Sequence, residues 1–220
     1  MKLRVRNLGL RDYEPVWRAM QQFTDARTPD TDDEIWFTEH QPVFTLGVNA
    51  AREHLLAPGD IPVVQIDRGG QVTYHGPGQL MVYPLIDLRR AGLGVRALVT
   101  ALEQCVVDVA ADHGIEAASR CDAPGVYTNG VKFASVGLRI RRGASFHGMA
   151  VNVDVDLEPF SRINPCGFED LQVTDFARLG GPATLDDARE QLLPHFLGHL
   201  GMADRELVQS ADDLPAAVNA

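Results

Sequence analysis

The chain predicts an α+β fold, and three observations carry that reading. Residues 13–26 and 95–113 place apolar side chains at helical spacing. Short runs of strand character lie before, between and after them, without the strict strand-helix alternation of a doubly wound sheet. The length of 220 residues, with 45% hydrophobic and 23% charged residues, suits a well-filled core. There is no repeat, no low-complexity tract and no clear linker. One domain over residues 1–220 is therefore expected, with a small C-terminal extension from about Pro165 as the alternative division.

In chain order, residues 2–6 alternate as a first strand. Val16, Trp17, Met20 and Phe23 give the first helix its apolar stripe. Residues 29–33 form a polar turn, residues 34–39 a strand, and residues 42–47 its continuation after a break. Asn49 is a plausible N-cap for a short helix ending near Leu56. Residues 62–66 are an apolar run expected as a buried strand. A Gly-rich segment at residues 68–79 leads directly into a strand at 80–88. Gly114 closes the long helix. Asn129-Gly130 suits a type I′ turn, so residues 125–128 and 131–140 read as a hairpin. A strand follows at 145–153. A helix at 185–200 contains Pro194, where a kink or break is expected. The Ala- and Asp-rich tail from Ser210 is expected to fray.

Composition narrows the function. A net charge of -10 argues against a nucleic-acid binder. No apolar run is long enough to span a bilayer, and residues 1–10 lack the apolar stretch of a secretory signal. Three widely spaced cysteines suit a reducing, cytoplasmic setting. Of 20 basic residues, 18 are arginine; the lysines are Lys2 and Lys132. Lysine can give up its proton when buried, whereas guanidinium effectively cannot.

Lys132 opens an apolar stripe with Ala134, Val136, Leu138 and Ile140 on one face of the second hairpin strand. There it either snorkels to solvent or is desolvated and competent as a general base. Cys105 reads as a small buried hydrophobe and Cys121 as a loop residue. Cys166, between Pro165 and Gly167, is the candidate nucleophile. His75 and His147 each precede a glycine and read as hydrogen-bonding structural residues. His40, His54, His113, His195 and His199 sit in ordinary surface or helix contexts, and no metal site is expected. The segment from Arg68 is neither a P-loop nor a Rossmann fingerprint. Its backbone can still offer donors to an oxyanion, and Arg68 can bind an anionic group.

The segment Arg68-Gly69-Gly70-Gln71-Val72-Thr73-Tyr74-His75-Gly76-Pro77-Gly78-Gln79 resembles the lipoate-protein ligase B family. So do Gly125-Val126-Tyr127, Lys132-Phe133-Ala134-Ser135-Val136-Gly137, Ser145-Phe146-His147-Gly148-Met149-Ala150-Val151-Asn152-Val153 and Ile163-Asn164-Pro165-Cys166-Gly167. The resemblance runs in order over about residues 34–180. It departs at Phe133, where a smaller aliphatic is more usual, and at Val151, where leucine is frequent. It implies a biotin/lipoate ligase-type fold, a mixed sheet packed with helices. It implies octanoyl transfer from octanoyl-acyl carrier protein to a lysine of apo lipoyl domains of 2-oxoacid dehydrogenases or of the glycine cleavage H protein. Cys166 would be acylated and Lys132 would activate it, without ATP or metal. Arg68 to His75, Ser135, Val136, Gly137, Gly148, Met149 and Ala150 would line the acyl site. The arginine groups Arg139, Arg141, Arg142 and Arg89, Arg90, Arg96 are candidates for docking the acidic carrier, and a monomer is expected. Two rival readings are an ATP-dependent lipoate or biotin ligase, indifferent to loss of Cys166, and a binding module without turnover.

Overall fold

The computed structural model describes residues 2–210 and 213–215. The chain runs β1 (Leu3–Arg11), α1 (Tyr13–Asp25), β2 (Asp33–His40), β3 (Val43–Leu46), β4 (Val63–Gln65), β5 (Val72–His75), β6 (Gln79–Leu85), α2 (Leu88–Ala91) and α3 (Val95–Asp112). It continues with β7 (Ala118–Ser119), β8 (Gly125–Thr128), β9 (Val131–Arg141), β10 (Ala144–Asn152), α4 (Phe176–Leu179), α5 (Leu185–His199) and β11 (Leu207–Gln209). Eight strands form one sheet in the order β11-β1-β2-β6-β10-β9-β8-β7. β1 is parallel to β11 and β2, while the other neighbours are antiparallel. A second sheet, β4-β3-β5, pairs β3 parallel to β4 and antiparallel to β5.

Side-chain alternation sorts the central strands onto two faces. Ile35, Phe37, Leu80, Val82, Met149 and Val151 pack with Leu98, Leu102, Cys105 and Val109 of α3 and with Leu192 and Phe196 of α5. Trp36, Met81, Tyr83, Leu85, Phe146 and Ala150 pack with Val16, Trp17 and Met20 of α1. β2 and β6 are therefore covered on both sides, so even polar residues on them lose contact with water. His40 shows this. It was expected at the surface, yet it is fully buried at the end of β2, with Nε2 2.8 Å from the Tyr83 hydroxyl and Nδ1 3.1 Å from the Arg11 carbonyl.

Several local expectations change. Residues 63–65 are an exposed edge rather than a buried strand, because β4 has a partner only on its β3 side; Val63 is 40% exposed. Asn49 caps nothing. The short helix is one 3₁₀ turn, Arg52–His54, and the Ala51 N–H that precedes it donates to Gln71 Oε1. α5 runs without a break through Pro194, which faces solvent, so the carbonyl it leaves without a partner can bond water. After Pro165, α5 packs in the same core as α3, and β11 extends the large sheet. The hairpin holds, with Asn129 and Gly130 at φ 49° and 82°. The expectation of fraying beyond Ser210 lies largely outside the described residues.

Asp33 ties three distant segments together at the start of β2. Fully buried, it accepts from Arg27, from Arg90 at 2.7 Å, from Arg205 at 3.0 Å and from the Asp87 N–H at 2.9 Å.

Candidate active site

Lys132 is only 2% exposed. The snorkelling alternative therefore fails, and the reason is a β-bulge. Val126 pairs with Ala134, but Tyr127 pairs with Lys132, so Phe133 is an extra residue in β9. Strict alternation breaks there, and Lys132, Phe133 and Ala134 are all buried. Phe133 turns to the Phe176 ring, 5.0 Å away between centroids. The Lys132 backbone is clamped from its other edge, donating to the Gln172 carbonyl and accepting from the Thr174 N–H. Gly125 makes room for the lysine stem. A Cβ there would lie 2.6 Å from Lys132 Cε and 2.2 Å from the Ala134 carbonyl oxygen, and its φ of 140° suits only glycine.

The buried amine reaches two acceptors. Nζ is 3.0 Å from the Pro124 carbonyl and 2.9 Å from Cys166 Sγ. Nζ also lies 5.2 Å from the centre of the Tyr127 ring. Cys166 sits in a 3₁₀ turn, Pro165–Gly167, and takes the left-handed conformation, φ 58° and ψ 14°. That costs a non-glycine residue about 1–2 kcal/mol. Hydrogen bonds on both sides hold the turn: Asn164 N–H to the His54 carbonyl, Gly167 N–H to the Asn164 carbonyl and Phe168 N–H to the Pro165 carbonyl. His54, read from sequence as unremarkable, therefore braces the cysteine loop. The other cysteines fit their bland readings. Cys105 is buried, its thiol pushed up by desolvation, and Cys121 is exposed.

Cys166 and Lys132 open onto a partly enclosed cavity. It lies between the small sheet and the α1 face of the large one. Of the residues expected to line it, Arg68, Gly70, Gln71, Val72, Thr73, His75, Ser135, Val136, Gly137, Gly148, Met149 and Ala150 do so. Gly69 and Tyr74 do not. The Gly69 N–H pairs with the Leu138 carbonyl, and the Tyr74 ring packs on Phe44 and Phe160 behind β5. Tyr13, Met81, Tyr83 and His147 complete the wall. Arg68 does not extend a free guanidinium. It is buried and donates to the Gly69 carbonyl and to the carbonyl and hydroxyl of Thr45, each at 2.9 Å.

Residues 12–197 match the lipoyl protein ligase A/B catalytic domain family. An octanoyltransferase of Shewanella oneidensis is 54% identical over 210 residues, covering 91% of this chain and 97% of the relative. An octanoyltransferase of Pseudomonas putida is 55% identical over 208 residues, covering 94% and 97% respectively. The chain belongs to the lipoyl protein ligase A/B family. Kinship at this level with octanoyltransferases makes it an acyltransferase. A solved lipoate-protein ligase A bound with ATP superposes at a TM-score of 0.78 and 15% identity, covering 96% of this chain and 89% of that one. A biotin protein ligase from Aquifex aeolicus superposes at a TM-score of 0.53 and 11% identity, covering 91% and 70%. These two share the fold, which is the biotin/lipoate ligase type expected from the motifs.

In this lipoyl ligase family member, the back of the cavity is a network of neutral histidines. The Gln79 amide nitrogen donates to the Tyr74 carbonyl and to Asn152 Oδ1, so Gln79 Oε1 accepts from His75 Nδ1 at 2.7 Å. That leaves His75 Nε2 to accept from the Thr45 hydroxyl, 3.2 Å away. Both nitrogens are occupied, and burial pushes the His75 pKa well below normal. His75 therefore orders the site and has no free lone pair to act as base. His147 pairs with Asp67 at 2.9 Å, and burial lowers its pKa too. Desolvation pushes Asp67 up, but hydrogen bonds from His147, Trp17 and Gln21 outweigh it and hold the carboxyl below its usual range. On the far side of the sheet, His195 and His199 pair with Asp112 and Asp108. Among the described residues no group of three or more His, Cys, Asp or Glu is placed to hold a metal ion.

These histidines set an acid limit. Burial lowers His40 to about 4, against 6.5 in the unfolded chain. Between those values the unfolded state binds the proton and the folded state does not. Stability is thus complete above pH 6.5 and declines as pH falls towards 4, by on the order of 3 kcal/mol for His40 alone. His75 and His147 act in the same direction. Urea unfolding is expected to show a clearly lower midpoint at pH 5 than at pH 7.5; equal midpoints would place charged histidines in the folded state.

Proposed function

We propose that the enzyme transfers an octanoyl group from octanoyl-acyl carrier protein to one lysine of an apo lipoyl domain, through a thioester on Cys166. This would be the first step of endogenous protein lipoylation. The observation that carries the reading is the buried Lys132 amine 2.9 Å from the Cys166 sulfur, at the mouth of a largely apolar cavity. Lys132 takes the thiol proton and the sulfur attacks the donor thioester carbonyl. Backbone N–H groups of the Arg68 to His75 segment are the candidates to stabilise the oxyanion. As the tetrahedral adduct collapses, the bond to the carrier's thiol breaks and Lys132 returns its proton to that leaving sulfur. The amine of the acceptor lysine then attacks the octanoyl-Cys166 carbonyl. A C–N bond forms, the C–S bond breaks, and the amine's proton passes to the Cys166 thiolate. Thioester plus amine becomes amide plus thiol, a downhill exchange that asks for no ATP and no metal.

The apolar wall made by Val72, Met81, Val136, Met149 and Ala150 suits the C8 chain. Acceptors would be lipoyl domains of 2-oxoacid dehydrogenases and the glycine cleavage H protein, met in the cytoplasm by a monomer. The acidic carrier needs a basic landing face. Arg89 and Arg142, one from each arginine group seen in the sequence, meet at one surface cavity, where Arg27 and Arg90 are already committed to Asp33. Arg141, by contrast, is already paired with Asp25 at 3.2 Å.

The fold is shared with a ligase solved with ATP, so an adenylating mechanism is the reading to beat. Incubation with octanoyl-carrier protein in the absence of ATP, followed by intact mass spectrometry, is expected to give one octanoyl adduct that maps to Cys166. Absence of that adduct alongside ATP-dependent transfer would favour the ligase.

A further inference from the structure

Lys132 and Cys166 do not stand alone. Behind them lies a carboxylate that the sequence did not single out. Glu103 lies on α3, flanked by the helix's apolar face, and is 8% exposed. An ionisable group is rarely buried that far without a partner. Its partner is a backbone amide: Glu103 Oε1 accepts from the Gly125 N–H at 2.8 Å.

That N–H belongs to the peptide joining Pro124 to Gly125. The carbonyl of the same peptide accepts from Lys132 Nζ at 3.0 Å. One amide thus bridges the carboxylate and the amine, donating at one end and accepting at the other. A peptide unit is planar and rigid, so fixing its N–H on Glu103 also fixes the direction of its carbonyl. A carboxylate pulling on the N–H further polarises the carbonyl, which strengthens its hold on Lys132 Nζ. The chain of contacts runs from α3 through β8 to β9 and ends on the sulfur.

We propose that Glu103 is a positioning residue for the Lys132–Cys166 pair, acting through the Pro124–Gly125 peptide; the inference rests on the reading of that pair as the acylating dyad. Glu103 holds the amine within reach of the thiol and adds a negative charge that retains protons on the pair. The other charged or titratable groups facing the assembly are Tyr127 beside Nζ, Arg68 towards Cys166, His54 beside the Cys166 turn, Arg96 beside Glu103, and the Arg120–Asp122 pair, with Arg120 over the Tyr127 ring.

The test compares the full-length chain with Glu103→Gln and Glu103→Ala. Glutamine keeps an oxygen for Gly125 but not the charge; alanine removes both. The rate at which iodoacetamide alkylates Cys166 is followed against pH, with peptide mapping to separate it from exposed Cys121. In Glu103→Gln the alkylation profile is expected to move to lower pH, since loss of the anion eases proton release from the pair. In Glu103→Ala, octanoylation is expected to slow about tenfold or more, with KM for the octanoyl donor little changed, and glutamine is expected to restore most of that rate. Profiles that superimpose on the parent, accompanied only by a lower Tm, would overturn the proposal and leave Glu103 a packing residue. Alkylation does not depend on the octanoyl donor. A parent enzyme that never takes an octanoyl adduct, yet shows the glutamine shift, would sink the proposed function while Glu103's hold on the pair survives.

Discussion

Lys132→Arg is expected to lower the rate of Cys166 octanoylation by about 10²–10⁴-fold, the usual worth of a positioned general base. Arginine keeps the positive charge beside the sulfur but cannot accept the thiol proton at working pH. The distinction is sharp because the amine is enclosed: it lies 2.9 Å from Sγ, with Gly125 and Tyr127 against it. Lys132→Met is the companion variant. It fills the slot with a similar unbranched stem and removes both charge and base. Stopped-flow or quenched mass measurement of adduct formation should find both variants nearly inactive, with circular dichroism spectra like the parent. Substantial activity in Lys132→Arg alone would reduce Lys132 to an electrostatic partner and require another base. His75 is poorly placed for that task, since both its ring nitrogens are already bonded.

The largest expected loss of stability comes from Asp33→Ala. Asp33 is fully buried and pairs with Arg27, Arg90 and Arg205 together, and the Arg27 side chain is itself only 8% exposed. Removing the shared anion strands buried guanidinium charge, which typically costs about 3–5 kcal/mol. For a chain of this size that corresponds to a fall in Tm of roughly 6–20 °C. Asp33→Asn, which keeps an acceptor oxygen but not the charge, should fall between parent and alanine. Calorimetry checks both. The rate of octanoylation per folded molecule, measured well below the transition, should stay close to the parent, because Asp33 does not line the cavity beside Cys166. A Tm within a degree or two of the parent would mean that the arginines find water when the carboxylate is gone.

What could be read from the sequence was local. Asn129-Gly130 announced its turn because only residues tolerant of positive φ close a two-residue hairpin. The spacing of Val16, Trp17 and Met20 gave α1 and its buried face. Lys132 stands out as one of two lysines, at the head of an apolar stripe, and Cys166 by its Pro and Gly neighbours; the structure brings their side chains together. What escaped depended on distant neighbours. Strand periodicity cannot announce the bulge at Phe133, which buries three successive side chains. Tyr13 reaches the cavity beside Cys166 from the first turn of α1, far from any glycine-rich motif. His40 and Glu103 look like ordinary polar residues until the layers that cover β2 and α3 are in place. Glu103 in particular left no local trace, since its partner is a backbone amide.

The left-handed backbone of Cys166 bears on how this enzyme can be engineered. Cys166→Gly would relieve about 1–2 kcal/mol of local strain and give back about 0.5–1 kcal/mol in chain entropy. On folding alone it is neutral to favourable. A selection for heat tolerance without a growth requirement for lipoylated protein would therefore tolerate loss of the one sulfur that faces Lys132. Thermostable variants should be sought at other positions, with position 166 held fixed, because under the proposed mechanism the demands of folding and of turnover there point in opposite directions.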